Sequence, residues 1–395
     1  MITRRVFCES LAATAGVLLL PAKMNALADG APLLSPKQVA EIDHARILAA
    51  ANRYLAEKPV TLTAYSSPRS PGGPHDYFSE GDYWWPDPKN PGGPYIRRDG
   101  LSNPQNFNDH REALIRLSLH VPALTAAWLI TKDRRYADHA NTHLRAWFVT
   151  PDTRMNPNLE HAQAVFGVNQ GRGTGIIDTI HLTEVAQSAA LLMKAGLLPD
   201  GVRAWFVEYL QWITTSKNGI EERNATNNHG SCWVMQVAAF ASFTGDEKVL
   251  AFCRERYRSA LIPKQIAANG SFPLELARTK PYSYSLFNLD ILATCCHILA
   301  DGLWEAKTAG GQSLRDSVAF YAPFIADKAK WPYPHDVEYF DDLPVRQPSL
   351  LFAGLAYRDS AWIELWRNKK LNPDPPVAEI IRNFPIRQPV LWVQG

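Results

Sequence analysis

Asn227-Asn228-His229-Gly230, followed further along by Arg278-Thr279-Lys280-Pro281-Tyr282-Ser283-Tyr284, supplies amides, an imidazole, a guanidinium and two phenols in one order. An amide, an imidazole and a guanidinium can hold a carboxylate and spread its charge, which acidifies the proton on the neighbouring carbon. A phenol can remove that proton and then protonate an oxygen departing from the next carbon. That chemistry opens a glycosidic bond beside a sugar acid without water. No carboxylate pair of the glycosidase kind stands out, although Asp82, Asp87, Asp178 and Glu275 leave hydrolysis open by inventory.

These groups need elements to carry them, and the dominant period of the chain is helical. Apolar residues recur at i, i+3 and i+4 over His110–Ile130, Tyr136–Val149, Asp178–Ala195, Val202–Thr215 and His229–Phe243. The pattern continues over Glu247–Leu261, Leu286–Leu303, Ser313–Ala326 and Ser349–Trp366. Strand signals are weak outside Val390–Val393. Asn227-Asn228 therefore stands at a helix start, where asparagine caps and exposed N–H groups favour an anion. Arg145-Ala146-Trp147-Phe148-Val149 recurs as Arg203-Ala204-Trp205-Phe206-Val207. Turns at Thr131-Lys132-Asp133 and Thr244-Gly245-Asp246 each offer an aspartate to cap the following helix. Short repeats on a helical period predict stacked helical hairpins, an all-α incomplete (α/α) toroid.

Between Ser66 and Pro104 the period stops, and eight prolines force an extended loop. Tyr83-Trp84-Trp85 at its centre, with Arg97 and Arg98, reads as a wall for binding sugars: aromatic faces for rings, guanidinium forks for carboxylates. Arg172, between Gly171 and Gly173, is a further carboxylate clamp. Glu221 and Glu222 stand where they could orient His229.

The N-terminus reads as an address. Thr3-Arg4-Arg5-Val6-Phe7, an apolar run to Leu20 and the small-residue site Ala26-Leu27-Ala28 predict a twin-arginine export signal over residues 1–28. The expected product is a periplasmic or secreted protein without a membrane anchor once the signal is removed. Removal takes three of the 41 basic and one of the 39 acidic residues, so the remainder is formally neutral. Nucleic-acid binding, which needs a large positive excess, is not indicated. Cys232, Cys253, Cys295 and Cys296 match no zinc spacing and are expected to be buried free thiols. With no clean linker in sight, residues 29–395 read as one domain, its tail from Leu371 lying over the surface.

Several segments together resemble the alginate lyase superfamily of polysaccharide lyases. They are Tyr83-Trp84-Trp85-Pro86-Asp87-Pro88, Pro94-Tyr95-Ile96-Arg97-Arg98-Asp99-Gly100, Arg154-Met155-Asn156-Pro157-Asn158-Leu159, Gly171-Arg172-Gly173, Asn227-Asn228-His229-Gly230 and Arg278-Thr279. The resemblance runs in order from about Gly81 to Trp331. It implies an α/α toroid holding an acidic polysaccharide and a metal-independent β-elimination with no cofactor. Carried over by position, it places Asn169, His229 and Arg278 around the substrate carboxylate and Tyr284 at the reacting carbon and oxygen. Asn228 is added as a carboxylate binder, and the doubled tyrosine leaves Tyr282 or Tyr284 as the acid and base. Gly230-Ser231-Cys232-Trp233 and Tyr282-Ser283-Tyr284-Ser285 are closer to the glucuronan-lyase branch, so glucuronan stands beside polymannuronate as expected substrate. The alternatives are a glycoside hydrolase on the same toroid, or a non-catalytic periplasmic protein that binds acidic polysaccharide.

Overall fold

The computed structural model describes residues 33–368 and 378–394. The segment expected to be an export signal lies outside the described residues. The helices fall into two kinds according to how far round their surfaces are apolar. Asp109–Thr131 (α2), Leu182–Lys194 (α4), Asn228–Thr244 (α7), Pro281–Leu299 (α11) and Pro348–Ala356 (α13) are buried on nearly every face. A helix apolar all round has to sit inside the protein. Each packs against the next, α2 on α4, α4 on α7, α7 on α11 and α11 on α13. Pro36–Tyr54 (α1), Arg134–Phe148 (α3), Val202–Thr215 (α5), Glu247–Arg256 (α8) and Ser360–Arg367 (α14) bury only one stripe and pack outside this ring. The result is an α/α toroid.

Local chemistry sets the hairpins. Asp133 accepts the N–H of Arg135 at 3.0 Å and Asp246 that of Val249 at 3.0 Å, so both expected aspartate caps are present. Lys132 and Gly245 take the left-handed conformation (φ 60° and 78°) that ends the helices before them. Short turns of this kind reverse the chain, which brings the N-termini of the ring helices to one end. His229 and Tyr284 lie in the first turns of α7 and α11.

Four expectations need correction. The sequence reading passed over α1, although Ser35-Pro36-Lys37-Gln38 is a complete capping box with proline at the first helical position. Asp178–Ala195 is not one helix, because Gly173–Thr179 is a 3-10 turn and α4 starts only at Leu182. Ser349–Trp366 is two helices, broken at Arg358 (φ 57°), with Asp359 capping the second. Pro389–Leu391 is a 3-10 turn rather than a strand. A short apolar run cannot separate these outcomes by period.

The proline-rich loop is extended, as expected, and carries short strands. Phe78–Glu80 (β1) pairs in parallel with His161–Ala164 (β4), and Trp84–Trp85 (β2) pairs antiparallel with Ile96–Arg97 (β3). The C-terminal segment is folded in rather than laid over the surface. Phe384, Ile386, Leu391 and Trp392 are buried, and the buried Glu184 of α4 accepts from the N–H groups of Arg387 and Gln388 and the indole of Trp392. The four cysteines named above are free and buried.

One buried cluster links the fold to pH. Tyr54 stacks on His120 at 4.2 Å, and His143 lies 5.0 Å from both His120 and His139. Burial, reinforced by neighbouring positive groups, pushes His120 down to about 3 and His143 to about 4. Both stay neutral in the fold while the unfolded chain takes up protons below ~6.5. Stability is therefore full above that value and falls as pH drops toward 4. Thermal melting between pH 7 and 4 should show a loss of about 2 kcal/mol or more that shrinks in His120→Gln. A His120→Gln curve parallel to wild type would contradict this assignment.

Candidate active site

The first turn of α7 is built by its cap. Asn227 accepts the N–H of His229 at 3.3 Å, and a side chain at Gly230 would stand 2.1 Å from the carbonyl of Ala225. Only glycine lets the preceding turn fold this closely onto the helix. His229 is thereby set with Nδ1 2.6 Å from the buried carboxylate of Glu222, from helix Lys217–Arg223 (α6). Of the two acids expected to orient the ring, Glu222 is the one that does so. Nε2 is the ring atom left to meet a ligand.

Asn228 does something else. Its N–H and Nδ2 donate to the two oxygens of Glu275 at 2.8 and 2.5 Å, and the residue is buried. Expected as a carboxylate binder for substrate, it instead ties α7 to the short helix Pro273–Leu276, and its amide donor is already spent on a carboxylate of the protein. Burial pushes the Glu275 carboxyl up even so, with the Asn228 hydrogen bonds pulling it back only in part.

The two tyrosines of α11 stand two residues apart and so point to nearly opposite sides of the helix. Tyr282 is fully buried: its hydroxyl donates to the carbonyl of Phe324 at 3.1 Å and its ring packs against Trp331 and Phe340. It is a core residue and does not reach the site, which counts against it both as a substrate binder and as the alternative acid and base. Tyr284 does reach it. Its hydroxyl lies 2.6 Å from that of Tyr83, and the Arg278 guanidinium sits over its ring at 4.6 Å. Tyr83, expected as part of a sugar-stacking wall, is thus the partner of the candidate acid and base.

Arg278 is held by Asp99, its Nε and Nη2 donating at 3.1 and 2.8 Å. Asp99 also accepts from Thr279 at 2.9 Å and Arg97 at 2.6 Å. Burial works against ionising Asp99, but the hydrogen bonds from Arg278 and Thr279 outweigh it and hold the carboxyl well below the usual range. For Tyr284 the balance runs the other way. Burial, followed by Tyr83, pushes the phenol well above its ordinary value, and Arg278 pulls it down without winning. The expected lowering by arginine is present in direction and insufficient in size.

Asn169 closes the turn Val165–Asn169, where its Oδ1 accepts from the N–H groups of Val165 and Gly171 at 3.2 and 3.3 Å. What it retains for a ligand is its amide nitrogen. Gly171 cannot be replaced, since a Cβ there would meet the Glu160 carbonyl at 1.9 Å. Arg172 donates from Nε and Nη2 to Gln163, both at 3.0 Å, and lies over Trp84 at 5.6 Å. Trp85 carries Arg98 at 5.1 Å, and Arg97 is exposed on β3. The register Trp84↔Arg97 and Trp85↔Ile96 puts Trp84, Arg97 and Arg172 on one side of the β2–β3 hairpin and Trp85 with Arg98 on the other, so the expected wall divides between two faces. Asp99 and Lys280 were missed as site residues, although both lie inside motifs quoted above. Lys280 pairs with Glu338 at 2.9 Å and lies 5.8 Å from the Tyr83 ring. Nothing in their spacing marks either as a partner of Arg278 or Tyr83.

Three of the four acids available for hydrolysis are committed elsewhere, and Asp87 accepts the backbone N–H of Lys89 at 2.9 Å. Asp82 pairs with Arg111 and Arg382, Asp178 accepts from Ser79 and Tyr77, and Glu275 holds Asn228. Among the described residues no three His, Cys, Asp or Glu side chains gather as a metal site would need.

A family model described as alginate lyase matches residues 61–331. Comparison with curated proteins gives no match. The crystal structure of an alginate lyase from Bacteroides ovatus is similar at 27% identity and a TM-score of 0.77, covering 92% of this chain and 100% of that one. A histidine-to-alanine variant of alginate lyase A1-III complexed with tetrasaccharide is 14% identical with a TM-score of 0.51, covering 92% of this chain and 98% of that one. This second likeness is one of fold alone.

Proposed function

The chain belongs to the alginate lyase family and is a polysaccharide lyase, and from that premise we propose that it cleaves β-1,4-linked uronate polymers, glucuronan or polymannuronate, by β-elimination. One observation carries the mechanism: a phenol, Tyr284, stands under a guanidinium, Arg278, that Asp99 holds in place. His229, Arg278 and Asn169 neutralise the substrate carboxylate, which acidifies the proton on C5. Tyr284 takes that proton and delivers one to the oxygen leaving C4. In mannuronate and glucuronate the proton and the oxygen leave from the same face, so a single group can serve both steps. Guluronate would need groups on opposite faces.

The side of the hairpin that carries Trp84 and Arg97, with Arg172 over Trp84, binds the neighbouring sugar units. The similarity to an alginate lyase from Bacteroides ovatus supports an alginate-like polymer, and the Tyr284 geometry supports a same-face substrate. Export through the twin-arginine route to the periplasm or beyond is part of the same proposal, since polymers of this size are met outside the cytoplasm.

Elimination leaves a conjugated C4=C5 double bond, which absorbs in the ultraviolet. Purified protein should raise absorbance on polymannuronate or glucuronan, and clearly less on polyguluronate. A chelator should leave the rise intact, because the described residues assemble no ligand set. New reducing ends without absorbance would mean hydrolysis and end the proposal. Activity lost to the chelator and restored by a divalent ion would end the metal-free mechanism.

A further inference from the structure

Arg382 stands in the C-terminal segment, three hundred residues away in sequence from the loop that it touches. Its Nη1 donates to Asp82 at 2.8 Å and its Nη2 to the hydroxyl of Ser102 at 3.1 Å. Asp82 and Ser102 are the two sides of the base of the aromatic loop, joined by the N–H of Asn103 donating to the Asp82 carbonyl at 2.8 Å. Asp82 directly precedes Tyr83, whose hydroxyl meets that of Tyr284. One guanidinium therefore spans both sides of the loop at the residue beside the Tyr83–Tyr284 contact.

A cavity of about 90 Å³ adjoins Tyr83, lined by Asp82, Tyr83, Lys280, Tyr339, Arg382 and Phe384 among others. On that side the ring has no close packing, so polar contacts contribute to tethering it. The tether is itself firmly founded. Ile380 and Phe384 are buried on either side of Arg382, and Arg387 and Gln388 donate their N–H groups to the buried Glu184. Asp82 has a second partner in Arg111, at 2.8 and 2.5 Å. Losing Arg382 would thus leave Asp82 paired with Arg111 and the core intact, while removing the guanidinium that joins Asp82 to Ser102 and to the C-terminal segment.

We infer that Arg382 is a positioning residue for the elimination, a strap from the C-terminal segment that holds Tyr83 against Tyr284 through Asp82 and Ser102. The inference rests on the reading of Tyr284 as acid and base. It also gives the C-terminal segment a part in the reaction without contact with substrate.

The test is a set of full-length variants assayed for kcat, KM and melting temperature on the polymer that the wild type cleaves best. Arg382→Ala should lower kcat about tenfold, with KM and melting temperature near wild type. Arg382→Lys, which can reach Asp82 but not both partners at once, should restore part of the loss. Tyr83→Phe should also lower kcat, since loss of the 2.6 Å hydrogen bond that orients the Tyr284 hydroxyl outweighs the easier ionisation of that phenol, and adding Arg382→Ala to it should cost nothing further, because both act through one contact. Additive losses in that double variant, or a fall in melting temperature matching the fall in kcat with no rescue by lysine, would overturn the strap. Wild-type kcat in Arg382→Ala would overturn it as well. Tyr284→Phe in the same assay separates the premise from the inference. If it is inactive while Arg382→Ala is normal, only the strap fails; if it is active, the reading of Tyr284 fails.

Discussion

Tyr284→Phe should lose about 10³-fold or more in kcat while KM and melting temperature stay near wild type. The substitution deletes one oxygen from a ring that keeps its place under the Arg278 guanidinium, 4.6 Å away. Its structural cost is the hydrogen bond to Tyr83, worth ~1 kcal/mol, so a fall in rate cannot be laid to unfolding. The control is two residues away. Tyr282→Phe removes a hydroxyl that reaches only the carbonyl of Phe324, so it should cost about 1 kcal/mol of stability and leave kcat intact. A pH profile sharpens the assignment. Burial and Tyr83 keep the resting phenol protonated well above its ordinary range, so the phenolate that must take the C5 proton is scarce at neutral pH. Over the neutral to mildly alkaline range kcat/KM should therefore climb about tenfold per pH unit, as the reactive fraction grows. A flat profile would show that another base takes the proton. An inactive Tyr282→Phe beside an active Tyr284→Phe would move the chemistry to the wrong side of the helix and refute the site as drawn.

The ring helices were legible because their signal is redundant. α7 and α11 are buried at almost every position, and their apolar residues recur on every side, which suits the interior. Asp133 and Asp246 were legible as caps because a cap is decided within three residues of chain. Where the sequence reading failed, the deciding contact was distant. Tyr282 and Tyr284 are the same residue type two positions apart, and only the walls around α11 send one into the core and the other to Tyr83. Asn228 looked like a donor for substrate until Glu275, from a separate short helix, was found to occupy it. Arg382 had no signal at all, since its partners Asp82 and Ser102 are joined to it by the fold alone. The C-terminal segment failed as a surface tail for a related reason. Its apolar residues follow no regular period, and Glu184 of α4 offers one buried carboxylate that collects three of its donors.

His229→Ala should cut kcat/KM by about 10²–10³, with both KM and kcat affected. A group that holds a carboxylate acts before the proton moves and acts harder afterwards, when charge from C5 spreads onto the carboxylate. Glu222 makes this variant costly in a second way. Its carboxylate is 3% exposed and loses its 2.6 Å partner, so some stability goes with the ring. Glu222→Gln keeps the shape and a hydrogen bond to Nδ1, and should leave the fold intact while lowering the rate less than His229→Ala does. Stability and chemistry can then be told apart by changing the substrate instead of the protein. Partial methyl esterification of the polymer removes the negative charge that His229 is there to meet. If His229 works on that charge, its loss must be felt more on the ionised polymer than on the esterified one, whereas a purely structural histidine would slow both equally. Equal losses would assign His229 to the fold and leave Arg278, already shared with Asp99, as the cation at the carboxylate.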